Sequence, residues 1–219
     1  MAPSRPTRAH GQVIALLGAE STGKTTLARE LRDALAQDGH SAVWVAEHLR
    51  EFCERHGRMP RREEQLAIAN EQTQRIGGAA VEHAFVIADT TALTIAVYSD
   101  RIFGDRALYA PALGAQAGYA LTLLAAPDIA WQADGHQRDG GHVREPVDAL
   151  LRAALNQAQL PFSVIYGSGP ARLHNALAAV RSAFKLESAQ ATPTSAPRWQ
   201  WVCERCGDPH CERLLLPGA

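Results

Sequence analysis

The stretch Gln12–Thr26, QVIALLGAESTGKTT, decides the fold. Its first six residues, Gln12–Leu17, form a short apolar, β-branched run that stops at a glycine, which predicts a buried strand. Behind the glycines, Leu27, Leu31, Ala34 and Leu35 recur at spacings of three and four, which predicts a helix over Lys24–Gln37. Between strand and helix lies Gly18-Ala19-Glu20-Ser21-Thr22-Gly23-Lys24-Thr25. A bound triphosphate needs backbone N–H groups turned inward, which requires glycines able to take unusual φ/ψ. The positive end of the following helix adds to that attraction. Lys24 supplies a point charge for β/γ-phosphates, and the Thr25 hydroxyl is a ligand for Mg²⁺. Gly18 through Thr26 are therefore the candidate ATP-binding residues.

Working outward, similar apolar runs occur at Ala42–Ala46, Ala84–Ala88, Tyr119–Ala125 and Phe162–Tyr166. Helical periodicity separates them, most clearly over Arg144–Gln157 with Val147, Leu150, Leu151, Ala154 and Leu155. Near-continuous apolar strands alternating with helices predict an α/β P-loop NTPase fold: a five-stranded parallel sheet with helices on both faces. Right-handed crossovers place every strand's C-terminal end on one edge, where chemistry is expected. Gly167 and Ser168 follow the fifth strand, where an adenine ring would rest in a sheet so wound.

At 219 residues the chain holds one such domain and a short appendage. The division expected is a disordered lead-in over 1–11, a P-loop kinase domain over 12–186, a linker over 187–198 and a Cys-rich tail over 199–219. With 22 Lys+Arg against 23 Asp+Glu, no global positive field draws it to nucleic acid or membrane. No apolar run reaches the ~20 residues that span a bilayer, and no apolar core marks the N-terminus as a secretory signal. A cytoplasmic, soluble protein is the expectation. Only two of the cations are lysines, Lys24 and Lys185, so the first stands out in an arginine-dominated chain.

Other residues narrow the class. The third strand runs into Asp89-Thr90-Thr91, so Asp89 can hold Mg²⁺ or its water shell, but no glutamate follows to polarise water as in a hydrolytic motor. No Asn-Lys-x-Asp guanine-reading motif occurs, and a full AAA+ module would need a helical lid domain for which the chain has no room. Glu47 ends the second strand beside Arg50; from that edge its carboxylate can hydrogen-bond ribose hydroxyls or accept a proton, although Glu47 and Arg50 also have the spacing of an ordinary surface ion pair. The glycine-rich loop Asp134–Arg144 offers Arg138 and Arg144, which can meet the charge that phosphoryl transfer spreads over oxygen and exclude water by closing.

These segments together resemble the ribosylnicotinamide (nicotinamide riboside) kinase domain of bacterial NadR proteins and related P-loop ATPases. The matches are Gly18–Thr25; Ala46-Glu47-His48-Leu49-Arg50-Glu51-Phe52, similar to that family's W-E-Y-x-R-E-F segment; Ala88-Asp89-Thr90-Thr91; and Trp131-Gln132-Ala133-Asp134-Gly135 with Arg138. Gln65–Gln72 is similar to its substrate-side helix. The resemblance implies ATP-dependent phosphorylation of the 5′-hydroxyl of a nucleoside such as nicotinamide riboside. It implies acceptor contacts at Glu47, Arg50, Asp89, Thr90 and Trp131, with catalysis by Lys24, Asp89, Glu47, Arg138 and Arg144. His48 replaces the tyrosine of the W-E-Y segment, a departure at the acceptor's base. Trp44, Phe52, Tyr98 and Trp131 are the aromatics available either for stacking or for the core.

The tail carries Cys203-x-x-Cys206-x-x-x-His210-Cys211, a spacing suited to Zn²⁺ in a reducing compartment, with a reactive pair or inert cysteines as alternatives. Adjacent His210 and Cys211 do not easily share one tetrahedral ion. The tail is not basic, which argues against a nucleic-acid enzyme. An ATP-binding regulator whose partner docks on the tail is the alternative to the kinase, and a homodimer with the tail acting across it stays open.

Overall fold

The computed structural model describes residues 10–131 and 143–186. Among them, five parallel strands carry seven α-helices in the order β1 (Gln12–Leu17), α1 (Lys24–Gln37), β2 (Ala42–Val45), α2 (His48–His56), α3 (Gln65–Glu82), β3 (Phe85–Asp89), α4 (Ala92–Phe103), α5 (Tyr109–Ala117), β4 (Leu121–Ala125), α6 (Arg144–Gln157), β5 (Ser163–Ile165) and α7 (Gly169–Phe184). The strands lie in the order β2-β3-β1-β4-β5.

Alternation along β1 divides its side chains between two helical layers. Ile14 and Leu16 join Ile87, Leu123 and Ile165 beneath Leu27, Leu31 and Leu35 of α1 and Ala176 and Val180 of α7. Leu17 and Leu124 face the opposite layer, with Leu93, Ile95 and Val97 of α4 and Val147, Leu151 and Leu155 of α6. The sheet is thus buried on both sides, as continuous apolar strands require. Helix α4 is buried from Ala92 through Val97; a helix apolar on all sides belongs inside a helical layer, not on its surface.

The predicted strands are present: β1 over its whole expected span, β3 shifted one residue to Phe85–Asp89, and β2, β4 and β5 trimmed. Val45 pairs with Ala88 and leaves Ala46 beyond the ladder; Leu124 pairs with Val164 and Ala125 with Ile165. Strands β1, β3 and β4 terminate together, Leu16 opposite Asp89 and Leu17 opposite Leu124. That common edge carries the turns after β1, β2, β3, β4 and β5.

Candidate functional site

The turn after β1 has the geometry of a cradle. Gly18 has φ 146°, and a Cβ there would lie 2.9 Å from the Ala125 carbonyl oxygen and 3.0 Å from Thr22 Oγ1. A larger residue would therefore push the turn away from β4. Ser21 (φ 50°) and Gly23 (φ 74°) are left-handed, which curls the backbone into a loop. Gly23 is the N-cap of α1, its cap makes no side-chain hydrogen bond, and the first turn carries no acid. The positive end of α1 is left to the loop it faces. Lys24 Nζ donates to the Ala19 carbonyl at 2.7 Å, and Thr22 Oγ1 donates to the same oxygen at 2.8 Å. The ammonium is thus folded over the loop that a phosphate would fill.

A cavity of about 570 Å³ opens beside this loop. It gathers Ser21, Gly23, Lys24, Thr25 and Thr26 from the loop, Arg50 from α2 and Ser168 after β5, all expected from sequence. Arg29, Glu30, Ile129 and Arg172 also line it, and none of these four was singled out by the sequence. The Arg29 guanidinium lies 4.3 Å from the centre of the Trp44 ring, which accounts for that half-buried tryptophan by a cation–π contact and by packing on the core. Phe52 is likewise occupied, stacked on His56 with ring centres 4.1 Å apart.

The two expected carboxylates follow β2 and end β3 on the same edge of the sheet. Asp89 ends β3 and is 1% exposed, with Oδ1 buried and without a hydrogen-bond partner. Thr90 follows with φ 74°, a strained backbone for a β-branched residue, and its buried Oγ1 also has no hydrogen-bond partner. The cap of α4 is Thr91, whose hydroxyl accepts from Leu93 N–H, so Asp89 is not spent on capping that helix. Glu47 is the N-cap residue of α2 and lies 3.9 Å from Arg50 Nε. Arg50 in turn lines the cavity with Lys24 and Thr25. Behind these, Arg75 of α3 binds Glu51 at 2.6 Å and Glu71 at 2.8 Å, and Arg75 holds the Glu51 carboxyl below its ordinary value.

Two buried arginines brace the turns after β1, β4 and β5. Arg144, in the first turn of α6, donates from Nη1 to the Ile129 carbonyl at 2.8 Å, and its Nη2 approaches the Ser21 carbonyl at 3.5 Å. Its buried Nε has no hydrogen-bond partner. The structure places Arg144, expected from the sequence on a loop closing over the phosphoryl group, at the start of α6 with its guanidinium against the turns after β1 and β4. Arg172, on α7, is 4% exposed and donates to the Thr22, Ala126 and Gly167 carbonyls and to the Asp128 carboxylate. Burial lowers its pKa against the opposing pull of Asp128. Asp128 Oδ2 accepts the Gly167 N–H at 2.6 Å, so both backbone polar groups of Gly167 are committed inside the protein. Gly167 is therefore a joint in the scaffold, and Ser168 is the residue of that turn that reaches the cavity.

Trp131 is 38% exposed at the edge of the described residues. Arg138 and the rest of residues 132–142 lie outside them, as do Cys203, Cys206, His210 and Cys211 of the tail and the expected linker over 187–198. Cys53, on α2, is half-buried with Sγ 3.9 Å from Met59 Sδ, and no residue of α2 is fully buried. Among the described residues no group of three or more His, Cys, Asp or Glu side chains is placed to hold a metal, and no helix is long and apolar enough to cross a membrane.

Strand order, parallel register and a glycine loop between β1 and α1 define a P-loop α/β domain. The chain belongs to the AAA_28 family, described as an AAA domain, which it matches over residues 13–172. Among curated proteins none matches the chain. Among solved structures, NadR protein in complex with NR is similar, at 20% identity and a TM-score of 0.70, over 84% of this chain and 54% of that one. Thymidylate kinase from Ehrlichia chaffeensis is similar at 13% identity and a TM-score of 0.54, over 80% and 99% of the two chains. Deoxyadenosine kinase from M. mycoides is similar at 13% identity and a TM-score of 0.56, over 78% and 99%. The chain spans about half the length of the NadR structures it matches. The fold is shared with these kinases.

Proposed function

We propose that the domain binds ATP and transfers its γ-phosphoryl group to the hydroxyl of a nucleoside-like acceptor, with the 5′-hydroxyl of nicotinamide riboside as the leading candidate. The observation that carries this reading is the pair of orphaned buried atoms, Asp89 Oδ1 and Thr90 Oγ1, beside the cradle strand. Leaving buried polar atoms unpaired is unfavourable by about 1–3 kcal/mol each, so their place at this edge suits a ligand that completes them. The resemblance of the sequence segments and of the fold to NadR supports the choice of acceptor.

The roles follow from placement. Backbone N–H groups of Gly18–Thr25 hold the β- and γ-phosphates, and Lys24 swings from the Ala19 carbonyl to meet them. A single buried carboxylate oxygen with a nearby threonine suits Mg²⁺, which takes one or two protein oxygens and completes its shell with phosphate and water. Thr25 and Asp89 would hold it, and when bound it neutralises phosphate charge. Glu47 accepts the proton of the acceptor hydroxyl as the new O–P bond forms and the bond to the β,γ-bridging oxygen breaks, releasing ADP. Arg50 anchors Glu47 next to the cavity. Arg144 offers its unpartnered Nε to the charge on the transferring group. Ser168 supports the adenine.

The test is ADP release measured with a panel of nucleosides that includes nicotinamide riboside. Release that rises sharply with one acceptor is the expected outcome. A rate unchanged by every acceptor would reject phosphoryl transfer.

A further inference from the structure

One side chain touches the backbone on both sides of Glu47 and directly after Asp89, and it belongs to neither strand. Gln72, on α3, is fully buried. Its Oε1 accepts the His48 N–H at 2.7 Å, and its Nε2 donates to the Ala46 carbonyl at 3.3 Å and to the Thr90 carbonyl at 3.2 Å. A carboxamide has one acceptor oxygen and two donor hydrogens, and here the oxygen and both hydrogens are engaged. Ala46 and His48 flank Glu47, and Thr90 follows Asp89.

The β2–β3 ladder ends at the Val45–Ala88 pair, so backbone pairing no longer spaces the strands where the carboxylates begin. The amide of Gln72 continues that spacing from the side. It also grips the residue with the strained backbone: the Thr90 N–H donates to the Leu16 carbonyl at 3.1 Å while the Thr90 carbonyl accepts from Gln72. The left-handed turn at Thr90, with φ 74°, is thereby held between the cradle strand and α3.

We propose that Gln72 is the positioning residue of the acceptor side, setting the separation and orientation of Glu47 and Asp89 through the backbone at Ala46, His48 and Thr90. The proposal rests on the kinase reading above and adds to it the residue that makes the carboxylate capping α2 and the one ending β3 act as one site. Gln72 makes no hydrogen bond with the glycine loop, so it reaches the phosphate side only through Asp89, and its main effect falls on the acceptor and proton-transfer side.

The experiment compares wild type, Gln72→Met and Gln72→Glu, each alone and combined with Glu47→Gln. Methionine keeps the volume and loses all three hydrogen bonds; glutamate keeps an oxygen for His48 N–H. Loss of about an ångström of placement can lower a rate on the order of 10²-fold, so acceptor-dependent kcat should fall by about 30–100-fold in Q72M and by less in Q72E. The KM for ATP should stay within about twofold. In the Glu47→Gln background Q72M should have little further effect, because residues acting as one unit are not additive. Q72M and Q72E that retain wild-type kcat and acceptor KM would overturn the proposal. So would an equal fall in ATP affinity and turnover, or full additivity with Glu47→Gln, since both describe a merely structural residue. A wild type that shows no acceptor-dependent turnover overturns the kinase reading itself, which separates that failure from failure of Gln72. If Q72M does not fold, Q72E carries the same comparison.

Discussion

Replacing Arg172 with methionine removes a buried cation that joins three turns of the site. The guanidinium donates to Gly167 O at 2.6 Å and to Ala126 O at 3.0 Å, as well as to Thr22 O and Asp128 Oδ1. In Arg172→Met three backbone carbonyls lose a charged donor and the Asp128 carboxylate loses its counter-ion. Breaking a buried ion pair by removing one partner destabilises by about 3–5 kcal/mol. The Asp128 side chain is 31% exposed, so water screens part of that loss and the lower end is expected. At roughly 2–4 °C per kcal/mol for a chain of this size, thermal melting should fall by about 6–12 °C. Asp128→Asn keeps an acceptor for Arg172 and should have the smaller effect, about 1–2 kcal/mol. The assay is urea or thermal unfolding together with binding of a non-hydrolysable ATP analogue. Because Arg172 joins Thr22 in the cradle to Gly167 in the turn after β5, affinity should fall with stability in R172M and rise again in Arg172→Lys only in part, a point charge being unable to serve a fork of acceptors. An R172M protein that melts and binds as the wild type does would refute the clamp.

Three other perturbations test separate parts of the structure. Gly18→Ala places a Cβ 2.9 Å from the Ala125 carbonyl at φ 146°, so it should destabilise by about 2 kcal/mol or more and abolish analogue binding, as read by melting and titration. Asp89→Asn should lower acceptor-dependent turnover on the order of 10²–10³-fold while leaving the melting temperature nearly unchanged, because it alters charge at an atom with no protein partner. Glu64 is held by Arg58, with two contacts at 2.7 Å, and by Arg61 N–H, which lowers its pKa from 4.5 to about 2. A depressed carboxylate contributes stability that is present above its unfolded value and lost as pH falls through the folded one. Stability should therefore decline between pH 4.5 and about 2, and Glu64→Gln should flatten that decline in acid titrations followed by circular dichroism.

What could be read in the sequence was local. Helices α1 and α6 run over the predicted spans, because leucines at three- and four-residue spacing mark a face without reference to anything else. Strands were visible as apolar runs, but their ends depend on the neighbour, and so Ala46, Phe162 and Tyr166 fall outside the ladders. The glycine loop was legible for the same reason as α1: its residues are contiguous and their types follow from phosphate chemistry. Arg172 was not. Its partners Thr22 and Asp128 lie 150 and 44 residues away, and one arginine among 20 carries no compositional signal. Gln72 carries no signal in the sequence beyond its place in the helical segment Gln65–Gln72, since its contacts reach 18 to 26 residues in sequence to three backbone groups. A buried amide whose partners are all main chain leaves no pattern of side-chain types to find. Placement of Asp89 and Glu47 on one edge needed only the assumption of a parallel sheet, which the strand register bears out.

The fate of the γ-phosphate distinguishes transfer to an acceptor from hydrolysis. With γ-labelled ATP, Mg²⁺ and nicotinamide riboside, the wild-type chain should move label into a nucleoside monophosphate, and Lys24→Ala should lose that product on the order of 10²-fold or more. Label that appears only as inorganic phosphate, or a Lys24→Ala chain as active as wild type, would contradict the account.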